Sequence, residues 1–226
     1  MENIELIDIW KAQNAKIEKS LAINELLLKE VTNSKVKSSL KSLITLKTAG
    51  IVSFILYILL LSYLFVYSLS NYSSALNYFI VSIFVIIVVN IKGLADYIKH
   101  LVWVNKINYD GSILEIQQQL SRLQISIINH AKTMCLQIPF YTTFYLSNTW
   151  FPHEVGIGYI LLQVSMTAAF IYLTYWLYKN HTLENLNKKW FRNLIAGSGG
   201  KAIMKAQAFY KEMEAFKIED NTHIPD

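Results

Sequence analysis

Residues 49–69 read AGIVSFILYILLLSYLFVYSL, an uncharged run of Leu, Ile, Val and aromatic side chains. At 1.5 Å per residue such a run makes a helix about 30 Å long, the thickness of a bilayer's hydrocarbon core. Residues 75–91, ALNYFIVSIFVIIVVNI, repeat the pattern after only SNYSS. So short a link forces the two helices into an antiparallel hairpin. Further along, residues 133–151 (TMCLQIPFYTTFYLSNTWF) and 156–178 (GIGYILLQVSMTAAFIYLTYWLY) form a second apolar pair. The first member of that pair is the more polar, and the second holds it in the membrane as a hairpin.

Composition agrees with this reading. Of 226 residues, 53% are hydrophobic and 16% are charged, whereas soluble domains usually carry about 25% charged residues. With three prolines and eight glycines, little of the chain favours turns, and helices satisfy every backbone group inside lipid. Lysines and arginines fall eight before residue 49, five between residues 92 and 132 and eight after residue 178, which accounts for all 21. None lies in either short turn. Because basic residues accumulate on the cytoplasmic side, this distribution predicts cytoplasmic N- and C-termini and a cytoplasmic central loop. Lys47, Lys92, Lys132 and Lys179 stand at span ends, where long side chains snorkel to water, while Tyr67, Tyr72, Trp150, Phe151, Trp176 and Tyr178 fit interfacial belts.

The fold expected is therefore all-α and polytopic. Four transmembrane helices in two hairpins, residues 49–91 and 133–178, would join a cytoplasmic N-terminal helix (1–48), a cytoplasmic helical hairpin (92–132) and C-terminal helices (179–226). The net charge of +5 is explained by topology and anionic lipid. No basic stripe with interleaved aromatics appears, so nucleic acid is not an expected partner. The N-terminus lacks a basic segment leading into an apolar one, so no cleaved signal peptide is expected.

Helix pairing is the regular signal outside the spans. Ile7, Trp10, Asn14, Ile17, Leu21, Asn24, Leu28 and Val31 alternate steps of three and four, a heptad seam with two asparagines among its inward positions. It suits a coiled coil between subunits, a helix lying on its own chain, or a helix on the membrane surface. In the central loop Asn108-Tyr109-Asp110-Gly111 breaks a helix, and Ser112 with Glu115 has capping-box spacing. Ile113, Ile116, Leu120, Leu123 and Ile127 then resume the three-and-four step. In the tail, residues 181–195 and 203–216 form amphipathic helices around the AGSGG of residues 196–200.

Catalytic spacings are missing. The GSGGK at residues 197–201 departs from a phosphate-binding loop, since Ala202 follows the lysine and Ile195 precedes where glycine is needed. It reads as a hinge. The five histidines, His100, His130, His153, His181 and His223, include no helical i, i+3 or i, i+4 pair, and the single Cys135 reads as a buried hydrophobe, so no metal or cofactor is expected. Lys92, Asp96 and His100 are spaced as an ion-pair ladder on a solvated face, with a ligand or proton site at the inner mouth as the alternative. The polar face of the third span, Gln137, Tyr141, Tyr145 and Asn148, suggests hydrogen bonds between helices or the lining of a pathway.

Three stretches, IWKAQNAKIEKSLAINELLLKEV (9–31), INYDGSILEIQQQLSRL (107–123) and KAIMKAQAFYKEMEAF (201–216), together resemble an uncharacterised family of four-span bacterial inner-membrane proteins. The resemblance implies a multi-pass location in the bacterial inner membrane and the same hairpin topology, and no activity. The expectation is a non-enzymatic membrane scaffold or regulator, bound to the bilayer and docking a copy of itself or another protein through its cytoplasmic helices. The alternative is a small channel or transporter lined by the third span.

Overall fold

A computed structural model describes the backbone of residues 2–222 and the side chains of residues 10–212. Six α-helices follow one another: α1 (Glu2–Ser70), α2 (Asn77–Asn105), α3 (Ile113–Met134), α4 (Ile157–Asn180), α5 (Lys189–Ala196) and α6 (Gly200–Thr222). No strand occurs among the described residues.

The N-terminal helix and the first apolar run are one rod. No proline and no glycine before Gly50 interrupts residues 2–70, so α1 runs unbroken for 69 residues, about 100 Å. Gly50 allows α2 to approach, since a β-carbon there would run into the ring of Tyr97. At the far end Asn71 caps the rod, its backbone N–H and its side-chain amide both donating to the Tyr67 carbonyl. The Ser73 hydroxyl accepts from the Ala75 N–H and starts a short 3-10 turn (Ser74–Leu76) into α2.

Three helices, α1, α2 and α4, contain stretches long and apolar enough to cross a membrane. Their apolar faces are left uncovered by protein: Val52, Ile55, Leu56, Leu59, Tyr63 and Val66 on α1, and Val81, Phe84, Val88 and Ile91 on α2, are exposed. A surface of this kind is consistent with membrane localisation and would be a liability in water. Within the hairpin Leu61, Ile83 and Ile86 form a small core with Tyr57, Phe65, Phe79 and Phe140 around it.

The expected third transmembrane α-helix does not form. α3 stops at Met134, and residues Cys135–Thr142 continue as a 3-10 helix, followed by turns up to Gly156. Pro139 cannot donate to an α-helical bond, and Ser147, Asn148 and Thr149 offer the backbone side-chain partners that favour turns. The Thr149 N–H donates to the Ser147 hydroxyl in just this way.

Beyond the apolar stretches the charged end of the molecule is a helical bundle. Val36, Leu40 and Leu43 of α1, Val104 of α2, Ile116, Leu120, Leu123 and Ile127 of α3, and Ile203, Ala206 and Tyr210 of α6 share one core. The Asn-Tyr-Asp-Gly break and the reciprocal Ser112–Glu115 capping box are both present at the α2–α3 corner. Two long-range bonds anchor α1 to that corner and to α6: Asn33 donates to the Tyr109 carbonyl at 3.0 Å and accepts from the Tyr210 hydroxyl at 2.7 Å. In the tail, α5 seats Phe191 and Ile195 against Ile128. Gly199, at φ +93°, makes the turn into α6 that other residues rarely adopt.

Candidate functional site

The bundle meets the apolar helices at a buried cluster of polar side chains. α1 supplies Lys47, one turn beyond Leu43 on the same stripe. α2 supplies Asp96, Tyr97 and His100. α3 supplies Ser126 and His130, which continue the stripe of Leu120, Leu123 and Ile127. Lys47 and His100 are 0% exposed, Asp96 4% and His130 3%.

Lys47 therefore does not snorkel. Its ammonium lies 3.6 Å from the centroid of the Tyr97 ring and makes no hydrogen bond. The reason is that α2 continues as helix well beyond Ile91 and walls off the end of the first apolar run, so a side chain expected in water enters the bundle. Nor is the Lys92–Asp96–His100 ladder on a solvated face. Asp96 accepts from Lys92 at 2.6 Å and from Lys99 at 2.9 Å, but the carboxylate itself is buried. His100 turns its Nε2 to the Ser126 hydroxyl at 2.9 Å.

His130 faces Asp96 at 3.6 Å, Nδ1 to Oδ2. That is an electrostatic contact and too long for a hydrogen bond. Its ring lies 4.9 Å from that of Tyr97 and 6.0 Å from that of His100. Three buried nitrogens, Lys47 Nζ, His100 Nδ1 and His130 Nδ1, are left without a hydrogen-bond partner. Groups of that kind are uncommon in folded proteins and tend to mark strain, a bound water or a functional role.

Burial, and secondly the nearby Lys47, lower the His130 pKa from 6.5 to about 4, against the pull of Asp96. The imidazole is thus neutral in the folded chain at pH 7. Between pH 6.5 and 4 the unfolded chain binds the proton and the folded chain refuses it, so stability falls as pH falls through that window. Unfolding followed by circular dichroism in detergent should show a slope approaching about 1.4 kcal/mol per pH unit from this group. His130→Gln should make the slope shallower. The charged and titratable neighbours to control for are Lys47, Lys92, Asp96, Tyr97 and His100.

Chemically the cluster can hold or exchange a proton, but it is poorly arranged for covalent catalysis. Ser126 and His100 form a nucleophile–base pair in distance only. Ser126 lies in the middle of α3, where backbone N–H groups are committed to the helix and cannot stabilise an oxyanion. Asp96 faces His130 rather than orienting His100. Among the described residues no three His, Cys, Asp or Glu side chains converge as metal donors.

The second polar region is the non-helical segment. Gln137, Tyr141, Tyr145 and Asn148, expected on one helical face, diverge because the helix is absent. Asn90 of α2 donates to Gln137 at 2.7 Å, Tyr141 meets Tyr57 of α1 at 3.3 Å, and Tyr145 donates to Gln163 of α4 at 2.7 Å. Asn148 is exposed in a turn. Three of the four are thus tied to three different helices. Gln163, unremarked in the sequence, is the centre of this network. It is 2% exposed, and its amide donates to the Thr142 carbonyl at 2.6 Å. No family model, curated protein or solved structure matches the chain. Function has to be read from these two regions and from the surface of α1.

On α1 the heptad seam divides. Leu28 touches the bundle core, and from there inward contact passes through Thr32, Val36, Leu40, Leu43 and Lys47, all buried. Trp10, Asn14, Ile17, Asn24 and Val31 are exposed, Leu21 is half-buried, and the side chain of Ile7 lies outside the described residues. The seam therefore lies on its own chain only from about Leu28 onward. Val31 turns outward because the stripe that meets the bundle steps by four, from Leu28 to Thr32.

Proposed function

We propose that this chain is a non-enzymatic membrane scaffold whose α1 pairs with α1 of a second copy, in the bacterial inner membrane with both termini and the helical bundle in the cytoplasm. The observation that carries the reading is the uncovered first part of the seam. Trp10 is 66% exposed and Ile17 54%, on a helix that projects beyond the bundle. Most of a helix's stability in a protein comes from packing its amphipathic face, and this stretch has little packed within the chain.

A second copy fits that face better than an unrelated partner. Residues 10–31 carry Lys11, Lys16, Lys19 and Lys29 against Glu18, Glu25 and Glu30, so two identical helices meet without a block of like charge. Asn14 and Leu21 occupy equivalent heptad positions, and an asparagine there favours pairing in register. Two copies anchored in one membrane also present their helices parallel, as such pairing requires.

The proposed topology has four crossings, the third made without an α-helix. Its support is the route of residues 137–151, which follow α2 from Asn90 (Gln137) through Ser82 (Thr143) to Tyr78 (Phe151). That is the length of α2 from one end of its apolar stretch to the other. It returns the chain to the start of α4 and brings the tail back to the bundle. Non-helical backbone at such depth is tolerated where protein surrounds it.

Pairing is tested in a Cys135→Ser background by oxidising Asn14→Cys and Leu21→Cys variants in native membranes. Equivalent positions across a parallel pair come within disulfide reach, about 6 Å between α-carbons. Dimer is expected at both positions and not with Lys19→Cys, which faces away from the seam. Monomer at both seam positions would overturn the proposal.

A further inference from the structure

We infer that the cleft between α2 and α3 binds a phosphate-bearing anion at the level where the bundle meets the membrane. The cleft has a volume of about 870 Å³, and its lining includes Lys92, Asp96, Lys99, Trp103, Arg122 and Asn129. That is room for a ligand of headgroup size or larger.

Charge is the first argument. Three cations face the cleft and Asp96 is the only carboxylate in its lining. Asp96 is already spent, since it accepts from both Lys92 and Lys99. Its role is to hold those two ammonium groups along one wall. Arg122 has no ion pair among the described residues. It lies 4.5 Å from the centroid of Trp103, and Lys99 lies 5.4 Å from the same ring. Two cations gathered on one indole repel each other, and an anion placed between them relieves the repulsion. A guanidinium beside two ammonium groups suits phosphate, whose oxygens take the planar fork of arginine in pairs.

Position is the second. Lys92 immediately follows Ile91, the end of the apolar run, and Lys99 is two turns on, about 10 Å along the helix. On the proposed topology this is the depth of lipid phosphate groups. Below Lys92, the exposed Phe84, Val88 and Ile91 offer an apolar path for an acyl chain. Behind the cleft, Asp96 and Ser126 form the shared wall with the buried Lys47–His100–His130 cluster, so an occupant would touch the residues that hold those histidines in place.

The test measures the unfolding temperature of the full chain in a zwitterionic detergent with added inorganic phosphate, short-chain phosphatidylglycerol or short-chain phosphatidylcholine. A ligand that binds only the folded state raises that temperature. A rise with both phosphate and phosphatidylglycerol assigns recognition to the phosphate group alone. A rise with phosphatidylglycerol only assigns it to the headgroup together with its chain. Arg122→Gln should weaken the apparent affinity about tenfold, Lys99→Gln should do likewise, and Lys188→Gln, outside the cleft, should leave it unchanged. Arg122 is exposed, so its replacement leaves the core intact. No rise with either anion, an equal rise with phosphatidylcholine, or a rise that Arg122→Gln does not diminish would overturn the inference. Each outcome is independent of whether α1 forms pairs.

Discussion

Asp96→Asn should destabilise the folded chain by about 1–3 kcal/mol, the usual range for losing a partner at a buried polar group. The residue keeps its shape and loses only its charge. Lys92 and Lys99 would suffer little, because their side chains are 54% and 39% exposed and water replaces the carboxylate. Lys47 cannot be rehydrated in this way. It is wholly buried, makes no hydrogen bond, and keeps only the face of Tyr97. A cation–π contact offers about 2 kcal/mol when desolvated. Burial already lowers the Lys47 pKa to about 7 against the pull of Asp96, so without Asp96 the amine sheds its proton at neutral pH and the loss stays modest.

The companion variant fixes the cause. Lys47→Met, similar in length and apolar, should be neutral or stabilising alone. Combined with Asp96→Asn it should recover part of the loss, because the buried amine whose charged form Asp96 favours is gone. Residues that share one electrostatic network are coupled in this way, by about 0.5–3 kcal/mol. Chemical unfolding of the four proteins, followed by circular dichroism in detergent, closes the double-mutant cycle. Additive losses would mean that Asp96 acts only through its lysines on α2.

How much of this was legible in the sequence depends on whether the signal lies along one helix or between helices. The apolar runs of α1, α2 and α4, the Asn-Tyr-Asp-Gly corner and its capping box are local patterns, and each sits where its residues place it. The cluster joins residues 47, 96, 100, 126 and 130, and no spacing rule within one helix connects them. A subtler signal was present nonetheless. Lys47 follows Leu40 and Leu43 at the next step of their stripe, and His130 follows Leu123 and Ile127 at the next step of theirs. A polar residue that continues an apolar stripe is a candidate for burial with a partner. Position at a span end, taken alone, suggested snorkelling for Lys47 because it does not reveal that a second helix continues beyond the boundary. The N-terminal seam was legible as a seam, but periodicity is blind to where a neighbour ends. Only the packing shows that the chain's own bundle meets it from about Leu28 and leaves most of it exposed before that.

The segment 133–151 misled for a related reason. Its length and lack of charge fit a spanning helix, whereas Pro139 and the Ser147–Asn148–Thr149 turn favour another backbone. The polar groups freed by that backbone must be satisfied from outside, and the residue that does most of this, Gln163, lies on α4. Gln163→Leu should therefore cost about 2–4 kcal/mol, since it strands a buried carbonyl and a tyrosine hydroxyl together. Besides the Thr142 carbonyl, the side chain takes the Tyr145 hydroxyl at 2.7 Å and reaches the Thr167 hydroxyl at 3.3 Å. Ser82→Ala makes the contrast. It removes one bond, Ser82 to Thr143 at 2.9 Å, and Thr143 still reaches the Phe140 carbonyl at 3.3 Å. That loss should be near the 0.6 kcal/mol average for single side-chain bonds between membrane helices. Parallel unfolding measurements on the two variants in detergent separate the cases. A Gln163→Leu cost no larger than that of Ser82→Ala would mean that water reaches the Thr142 carbonyl, and the segment would then line a hydrated cavity instead of packing against α4. A clear excess for Gln163→Leu would tie the non-helical backbone to α4 and explain why it holds without an α-helix.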